Sequence, residues 1–286
     1  HIGCNFVNNS GRRGGAIYAE APNTFQNRFC IFLYNSAINA GGASAVKDVS
    51  ISKNLFCVYR NNSILKGSLK HGGIVFEKNI KSSINAYSLY NNNYIEESGG
   101  TIKLDNIEIH YEMRNRYSKN YVTGSGGAIY FSNINTIQLS RCVFRANFAE
   151  TFGGVIFGEK LKVLNNIRSV YVENQSKRGG AIYLSDAAEI RNIFSKFMFN
   201  KALEAGGGYF IARKSLLISR VLNITNIYSV FMNHMAVIGG AFYIGSARNV
   251  WNMGVLFVSN RVSEDGGTFW ALNIQLMLYS NSSDAS

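Results

Sequence analysis

Proline, charge and long apolar runs are all scarce in this sequence of 286 residues. Pro22 is the single proline, and charged residues make up 16% of the chain, against roughly 25% in an average soluble domain. No stretch approaches the ~20 apolar residues that a membrane-spanning helix requires, so the sequence predicts no membrane insertion. No segment has the capped, amphipathic period of a surface helix either. Because 47% of the residues are apolar, the chain can build a continuous core and is not disordered.

Glycine, by contrast, is abundant and regularly placed, with 28 residues in the chain. Gly-Gly pairs recur at nearly constant spacing, most of them 27 residues apart. The runs that follow them, such as Ala-Ile-Tyr at 128–130 and at 181–183, are typical of strands. The pairs begin at Gly14, Gly41, Gly72, Gly99, Gly126, Gly153, Gly179, Gly206, Gly239 and Gly266.

A second marker precedes nearly every glycine pair. It is an asparagine with an aromatic residue three positions before it, as in Phe144 and Asn147. In one repeat, Val230 stands at the aromatic position and we assign Asn233 to the series. Two repeats are longer than the rest, and we place their insertions at 63–71 and 212–227. The asparagine series is Asn35, Asn62, Asn93, Asn120, Asn147, Asn174, Asn200, Asn233 and Asn260.

The length of the repeat determines the fold class. A unit of about 27 residues accommodates three short strands and three turns, and such units stack in register as a parallel β-helix. A propeller blade needs about 40 residues and four strands, which disfavours that alternative. We therefore predict an all-β fold, a β-solenoid of about ten coils with three strands per coil. We expect one module over 1–286, as a segment of a longer chain.

The two motifs also carry a family resemblance. Gly-Gly-Ala-Ile, as at 14–17, and Phe-x-x-Asn, as at 144–147, alternate along nearly the whole chain. In this the sequence resembles chlamydial polymorphic membrane proteins and pectin-lyase-like surface proteins of protists. The resemblance implies a right-handed parallel β-helix displayed outside the cell, often as an adhesin or a surface-structure module.

Positions that repeat once per coil form columns in a solenoid, and two columns are expected to point inward. The asparagines should form a ladder in which each carboxamide bonds to the next, so that buried polar groups are paired. A row of contacts to glycan is the less favoured interpretation of this column. The aromatic residues three positions earlier should form a stack of rings in the core.

The four cysteines also share one column, each five residues before its asparagine. A disulfide between neighbouring coils is feasible from strand spacing. A column of buried free thiols is favoured, and a metal site is disfavoured because no histidine and no CxxC pair accompanies them. The column contains Cys4, Cys30, Cys57 and Cys142.

A third column follows the glycine pairs and is expected to face solvent. Lys103 stands within it, which favours an outward orientation, and Ala45 also interrupts it. An exposed aromatic stripe usually marks an interface or a surface for stacking sugars. The alternatives are that the stripe faces the interior or that an adjoining loop covers it. Its members are Tyr18, Phe76, Tyr130, Phe157, Tyr183, Phe210, Tyr243 and Trp270.

Nothing in the sequence predicts catalysis, a metal or a cofactor. There is no Walker loop, no HExxH and no EF-hand pattern. Hydrolysis of sugars needs two carboxylates on one face, and Asp105 with Glu108 is the nearest approach to such a pair. No nucleophile is expected beside any of the histidines, which are His1, His71, His110 and His234.

The net charge of +12 suits an acidic partner. Because the basic residues are spread over all coils and no nucleic-acid motif accompanies them, we expect acidic polysaccharide or an acidic protein and no nucleic acid. Asn174 belongs to the ladder, so we expect its glycosylation sequon to be silent, whereas Asn223 lies in an insertion and is the best placed to carry sugar. The remaining sequons are at Asn8, Asn61 and Asn281.

Together these patterns predict a non-catalytic, extracellular structural or adhesive module that is a building block of a surface assembly or filament. The alternative is a carbohydrate-active enzyme or a glycan-binding module acting on acidic polysaccharide. Both ends of the sequence are strand-like, at 2–4 and 276–279, and neither has a recognisable cap. We therefore expect other copies, or other domains of the parent protein, to stack on the end coils.

Overall fold

The structure is a computed structural model that describes residues 1–65, 72–96, 98–212, 223–272, 274–280 and 283–285, the last three by their backbone alone. Within these residues every regular element is a β-strand, and all strand pairs are parallel. No helix in this part of the chain is long and apolar enough to cross a membrane. The strands are numbered in chain order and form three sheets, A, B and C.

Sheet A follows the glycine pairs and contains the longest strands. Its central strands pair in register at an offset of 27 residues, so that Ile102, Ile129 and Ile156 lie one above another. The strands are β3 (Ile17–Glu20), β4 (Thr24–Arg28), β7 (Ser44–Leu55), β10 (Val75–Ala86), β13 (Ile102–Met113), β16 (Ile129–Ser140), β19 (Ile156–Ile167), β22 (Ile182–Leu184), β23 (Ala187–Ile193), β26 (Tyr209–Ile211), β27 (Asn223–Ile227), β30 (Phe242–Ile244), β31 (Ala247–Met253), β34 (Phe269–Ala271) and β35 (Ile274–Ser280).

Sheet B carries the aromatic core column at the middle position of its three-residue strands. The strands are β1 (Asn5–Val7), β5 (Ile31–Leu33), β8 (Val58–Arg60), β11 (Leu89–Asn91), β14 (Arg116–Ser118), β17 (Val143–Arg145), β20 (Val170–Val172), β24 (Lys196–Met198), β28 (Val230–Met232), β32 (Leu256–Val258) and β36 (Ser283–Ala285).

Sheet C precedes the glycine pairs and completes each coil. The strands are β2 (Ser10–Arg13), β6 (Ser36–Ala40), β9 (Ser63–Ile64), β12 (Tyr94–Ile95), β15 (Tyr121–Val122), β18 (Phe148–Ala149), β21 (Gln175–Arg178), β25 (Lys201–Ala205), β29 (Met235–Ala236) and β33 (Arg261–Val262). The prediction of an all-β parallel solenoid of about ten coils with three sheets is confirmed.

Residues in the left-handed region turn the chain at the corners of each coil. In the coil from 126 to 153, Asn133, Arg141 and Ala146 have φ between 52° and 55°. Gly153 has φ 62°, and a Cβ there would lie 2.0 Å from the carbonyl oxygen of Ile156. This corner therefore requires glycine, and the first glycine of most other pairs also has a positive φ.

Both insertions are shorter in the structure than the sequence predicts. Ser63–Ile64 pairs with strands on both sides, and so does Asn223–Ile227. These residues belong to the regular coil because their side chains continue the columns of sheets C and A. Leu65 and Ala212 are hydrogen-bonded to the preceding coil as well, and residues 66–71 and 213–222 lie outside the described residues.

Candidate functional site

The asparagine column forms a buried ladder at the turn between sheets B and C. Asn147 shows the pattern. Its backbone N–H and its Nδ2 donate to Oδ1 of Asn174 at 3.0 and 3.1 Å, and Nδ2 also donates to the carbonyl of Tyr117 at 3.0 Å. Both amide hydrogens and the side-chain oxygen are thus in use. The buried members are Asn35, Asn62, Asn93, Asn120, Asn147, Asn174 and Asn200, and Asn260 closes the row half-buried.

The assignment of Asn233 to this ladder is wrong. Its place is taken by the next residue, His234, which is fully buried. The N–H of Asn200 donates to Nδ1 of His234 at 3.2 Å, and the N–H of His234 donates to Oδ1 of Asn260 at 3.2 Å. The correct register follows from Phe231, which stands three residues before His234 and stacks on the ring of Phe197.

Unlike the asparagines of the ladder, His234 has a side-chain nitrogen without a hydrogen-bond partner among the described residues. Because Nδ1 accepts a hydrogen bond, the neutral ring carries its hydrogen on Nε2, and that atom has no partner among the described residues. Burial lowers the pKa of His234 from 6.5 to about 3, since the charged form would lose its hydration. The ladder is therefore weakest at this coil.

The aromatic column is a continuous stack inside the solenoid. Neighbouring ring centroids lie between 4.4 and 5.4 Å apart, and most of the rings are fully buried. Its members are Phe6, Phe32, Tyr59, Tyr90, Tyr117, Phe144, Tyr171, Phe197, Phe231 and Phe257.

The stripe after the glycine pairs was expected to face solvent, and this is wrong for its centre. Tyr130, Phe157, Tyr183 and Phe210 are only 6–9% exposed. They form a second apolar cluster outside the main core, where residues of the preceding turn, such as Phe152, cover them. Tyr18, at the first coil, is 43% exposed, and Phe76, Tyr243 and Trp270 are half-buried.

Among the described residues, a buried cluster joins a serine, a histidine and two glutamates, and sequence reasoning missed it. His110 Nδ1 lies 2.8 Å from Ser83 Oγ, and its Nε2 lies 2.7 Å from Glu112 Oε1. Ser83 also contacts Glu77. The expectation that no nucleophile accompanies His110 is wrong, because residues 27 positions apart are neighbours in adjacent coils.

Amide and phenol donors complete this buried polar cluster. Glu112 accepts hydrogen bonds from Asn85 at 3.0 Å, from Tyr117 OH at 2.6 Å and from Asn115. Glu77 accepts one from Ser52 at 2.7 Å. Each carboxylate therefore has several donors, which is what stabilises a buried charge.

The contacts among Ser83, His110 and Glu112 resemble those of a hydrolase triad. The serine, however, is not accessible as a nucleophile. Ser83, His110 and Glu112 are each about 1% exposed. Two hydrogen bonds in series join Glu77, Ser83 and His110 Nδ1, and serine supplies one hydrogen.

The four cysteines are free, and three of them are buried. Burial raises the pKa of Cys57 to about 11. A thiol of this kind is protonated at neutral pH and packs as a small apolar group. The column of free thiols favoured from the sequence is what the structure contains.

The predicted glycosylation sites differ in their surroundings. Asn8 is exposed and Asn61 is half-buried, and both occupy left-handed corners. Asn174 is fully buried in the ladder. Asn223 is not in a protruding loop as expected, because it lies in β27 and accepts a hydrogen bond from Asn249 at 2.8 Å. Asn281 lies outside the described residues.

An exposed row of large side chains occupies one corner of the solenoid, and we call it the corner stripe. All of its members have φ between 45° and 56°. Its aromatic residues are 41–54% exposed, and its three arginines stand next to one another in the row and are exposed. The members are Phe29, Phe56, Tyr87, Arg114, Arg141, Arg168, Phe194 and Tyr228.

The residues of the corner stripe adopt a backbone conformation that is unfavourable for their residue types. A left-handed conformation costs a bulky residue roughly 1–2 kcal/mol, and asparagine or glycine adopts it more easily. The neighbouring corner in fact uses Asn79, Asn106 and Asn133. Other corners also hold bulky residues, such as Tyr34 and Phe199, but the corner stripe is an unbroken row of exposed aromatic and arginine side chains, which makes it the best candidate for a contact surface. In the sequence, each member of the stripe directly precedes a cysteine, a serine or an asparagine at the same position of its coil, as Phe29 precedes Cys30 and Arg168 precedes Ser169.

Contacts within the corner stripe determine what it can bind. Phe56 stacks on Phe29 at 5.0 Å and on Tyr87 at 4.8 Å, so these rings present their edges to solvent. Arg114 covers the next face of Tyr87 at 5.5 Å. Among the described residues, no carboxylate lies within 4 Å of Arg114, Arg141 or Arg168. Because neighbouring rings and Arg114 cover the faces of these rings, face-on stacking of a sugar is disfavoured. Arginine beside aromatic edges is instead typical of protein interfaces.

A groove beside the buried stripe, which we call the Ala45 groove, is the second candidate. Its volume is about 310 Å³. Tyr18 and Phe76 flank Ala45, and Lys103 lines the same space. Lys103 is 4% exposed, so the exposure to solvent expected for it is wrong.

Comparison with known proteins adds one finding on family. Residues 3–20 match the model of the Chlamydia polymorphic membrane protein (Chlamydia_PMP) repeat. No curated protein and no solved structure matches the chain. The matched segment contains Phe6 and Asn9 and ends just after the first glycine pair. The repeat and the parallel solenoid together fit a β-helix of the polymorphic membrane protein type, and the short match suggests a surface-associated protein.

Proposed function

We propose that this chain is a non-catalytic, extracellular β-solenoid module that acts in adhesion and as a building block of a surface assembly. The corner stripe is the observation that carries the proposal. Arginine and aromatic residues are held there, exposed, on backbone positions that favour other residue types. The rigid sheets beneath the row fix the spacing of its side chains at about 4.8 Å per coil.

The partner that fits the corner stripe is a protein surface in which carboxylates lie beside apolar side chains. Arg114, Arg141 and Arg168 supply three neighbouring guanidinium groups for bidentate contacts. Met113 and Ile167 lie directly before the first and the last of them, exposed and half-buried respectively. The net charge of +12 brings such a partner in by long-range attraction.

Binding to an acidic, aromatic polypeptide tests the adhesive part of the proposal. The probe is an immobilised random copolymer of glutamate and tyrosine, and the test variant changes Arg114, Arg141 and Arg168 to Gln. The control changes three exposed basic residues elsewhere, Arg12, Lys162 and Arg248, to Gln, so both variants lose the same charge. We expect the corner variant to bind at least 10-fold more weakly and the control to change less than 3-fold. Equal losses in the two variants would mean that net charge alone drives binding, and the proposal would be wrong.

Burial of the reactive groups supports a non-catalytic module. The serine, histidine and glutamate that resemble a triad have no open path to a substrate among the described residues, since each is about 1% exposed. We expect no new reducing ends and no unsaturated products after incubation with polygalacturonate. Any such product would favour the alternative, a carbohydrate-active enzyme.

Stacking of further coils is the assembly part of the proposal. Within the described residues, β1 pairs with β5 and β34 pairs with β30, each along one of its edges. Open edges template the addition of strands from another copy or another segment. Sedimentation at rising concentration should show end-to-end association, and a monomer at every concentration would count against it.

A further inference from the structure

Two sets of three adjacent coils share one arrangement of side chains outside the core and differ by a single ring. In the complete set, Phe210 stacks on Tyr243 of the next coil, with the ring centroids 4.4 Å apart. In the other set, the sheet register places Ala45 between Tyr18 and Phe76. Two coils separate those flanking rings by about 10 Å, so one further ring fits between them. The Ala45 groove is therefore the vacancy of one phenyl ring.

An arginine stands beside this position in both sets. Arg178 and Arg13 are the last residues of β21 and β2, and each pairs in register with an alanine of the next strand in sheet C. The guanidinium carbon of Arg178 lies 5.7 Å from the ring centroid of Phe210. Arg13 lines the Ala45 groove. Because the two arginines occupy equivalent positions, a ring in the groove would lie against Arg13 as Phe210 lies against Arg178.

The two arginines differ in their ionic partners. The Nε of Arg178 lies 2.6 Å from a carboxylate oxygen of Glu204. In the coil of the groove, Asn39 stands at the position of Glu204 and carries no charge. Arg13 is exposed, and in the described part of the chain no carboxylate lies within 4 Å of its guanidinium. Arg13 thus lacks both the ring and the carboxylate that Arg178 contacts.

The rest of the lining is apolar or has its charge already paired. Ala45 is 1% exposed at the floor of the vacancy. Lys47, two residues further along the strand, pairs with Glu20 at 2.8 Å. Lys103 lies one coil beyond Phe76, with its ammonium 4.2 Å from the ring of the coil after it, so it belongs to the far end of the groove. Beside the vacancy itself, the charge left to attract an anion is that of the arginine.

We propose that the Ala45 groove binds a small aromatic carboxylate, in which a short chain joins a phenyl ring to the carboxylate. The ring fills the vacancy in the column, and the carboxylate forms a bidentate pair with Arg13. The volume of about 310 Å³ is at the lower end of the range of about 300–1,000 Å³ for small-molecule pockets. The proposal does not rest on the adhesive function, because the groove and the corner stripe use different residues.

Titration of 3-phenylpropionate into the folded chain, followed by calorimetry or by NMR shifts, tests the proposal directly. 3-Phenyl-1-propanol keeps the ring and loses the charge, whereas propionate keeps the charge and loses the ring. We expect a dissociation constant on the order of 1 mM for the acid, with about 10-fold weaker binding of either control. No saturable binding of the acid would overturn the proposal. Equal affinity for the alcohol would overturn the role of the carboxylate, and equal affinity for propionate would overturn the role of the ring.

Variants of the groove locate the binding. Ala45→Phe supplies the missing ring and should abolish binding of both the acid and the alcohol, and it preserves the fold because Phe210 stands at the equivalent position. Arg13→Gln should weaken binding of the acid to the level of the alcohol. Arg12→Gln removes the same charge from an exposed neighbour that does not line the groove, and it should match the parent. Binding that survives Ala45→Phe, or equal losses in the two arginine variants, would overturn the assignment.

A transplanted vacancy provides the converse test. Phe210→Ala, made in the Ala45→Phe chain, opens the equivalent space beside an arginine that already pairs with Glu204. This double variant should bind the alcohol again, but should no longer prefer the acid. If circular dichroism shows an intact fold and the alcohol does not bind, a vacancy of one ring is not what makes the site. If the acid is still preferred about 10-fold, the unpaired charge of Arg13 is not the source of the preference.

Discussion

The asparagine ladder and the buried polar cluster solve the same physical problem in two ways. Both bury polar groups in the interior of the solenoid, where an unpaired group is costly. The ladder does so with one residue type repeated in nearly every coil, and each amide bonds to the next. The cluster does so once, with Glu77, His110 and Glu112 and several different donors. The repeated ladder therefore tolerates a change in one coil, whereas the polar cluster depends on every one of its members.

This comparison predicts that removing a member of the cluster costs more than removing a rung of the ladder. Glu112→Leu leaves His110, Asn85 and Tyr117 without the carboxylate that they contact in the buried interior. We expect a loss of about 3–5 kcal/mol in the free energy of unfolding, as for the breaking of a buried ion pair. Thermal and denaturant unfolding measure it. Glu108→Leu, at an exposed position on the same strand, is the control and should change stability by less than about 0.5 kcal/mol.

A single break in the ladder should have a smaller effect. Asn147→Leu removes the acceptor of Asn120 and the donor to Asn174, which leaves buried groups unpaired. The expected cost is about 1–3 kcal/mol. Asn135→Leu, on the exposed face of β16, controls for the loss of an amide, and its unfolding midpoint should stay near that of the parent. A greater loss for Asn147→Leu than for Glu112→Leu would invert the comparison.

Restoring an asparagine to the ladder should give the smallest change in the free energy of unfolding, and this change should be stabilising. His234→Asn restores the carboxamide and removes the unpaired Nε2, for a gain of about 1 kcal/mol at pH 7. The effect grows in acid. The unfolded chain protonates His234 below pH 6.5, but the folded chain does so only near 3, so the parent loses stability as the pH falls between these values. Unfolding midpoints at pH 7 and pH 4 should therefore differ more in the parent than in His234→Asn, and equal acid sensitivity would refute this account.

The same contrast explains what the sequence could predict. The fold, the inward aromatic column and most of the ladder follow from patterns that recur about every 27 residues. Asn233 and His234 are neighbouring candidates for the ladder, and only the aromatic marker distinguishes them: Phe231 lies three residues before His234, whereas Val230 lies three residues before Asn233. The contact between Ser83 and His110 has no repeating signal, since it joins two unlike residues in one pair of coils.

Outside the core, the sequence predicts the burial of side chains less well. The stripe from Tyr130 to Phe210 alternates correctly with the inward column, yet a turn that includes Phe152 covers it. Alternation indicates which face of a strand a residue occupies, but not whether another segment packs on that face. The corner stripe was overlooked because its residues lie in turns, where strand patterns do not apply.

Amide hydrogen exchange at Asn120 tests the central claim, that repeated inward side chains hold the coils in register. The N–H of Asn120 donates to Oδ1 of Asn147 in the next coil, and the N–H at position 147 donates in turn to Asn174. In Asn147→Leu, exchange at Asn120 should become at least 10-fold faster, while position 147 stays as protected as in the parent. If Asn120 exchanges equally slowly in both proteins, its protection does not come from the ladder and the claim is contradicted.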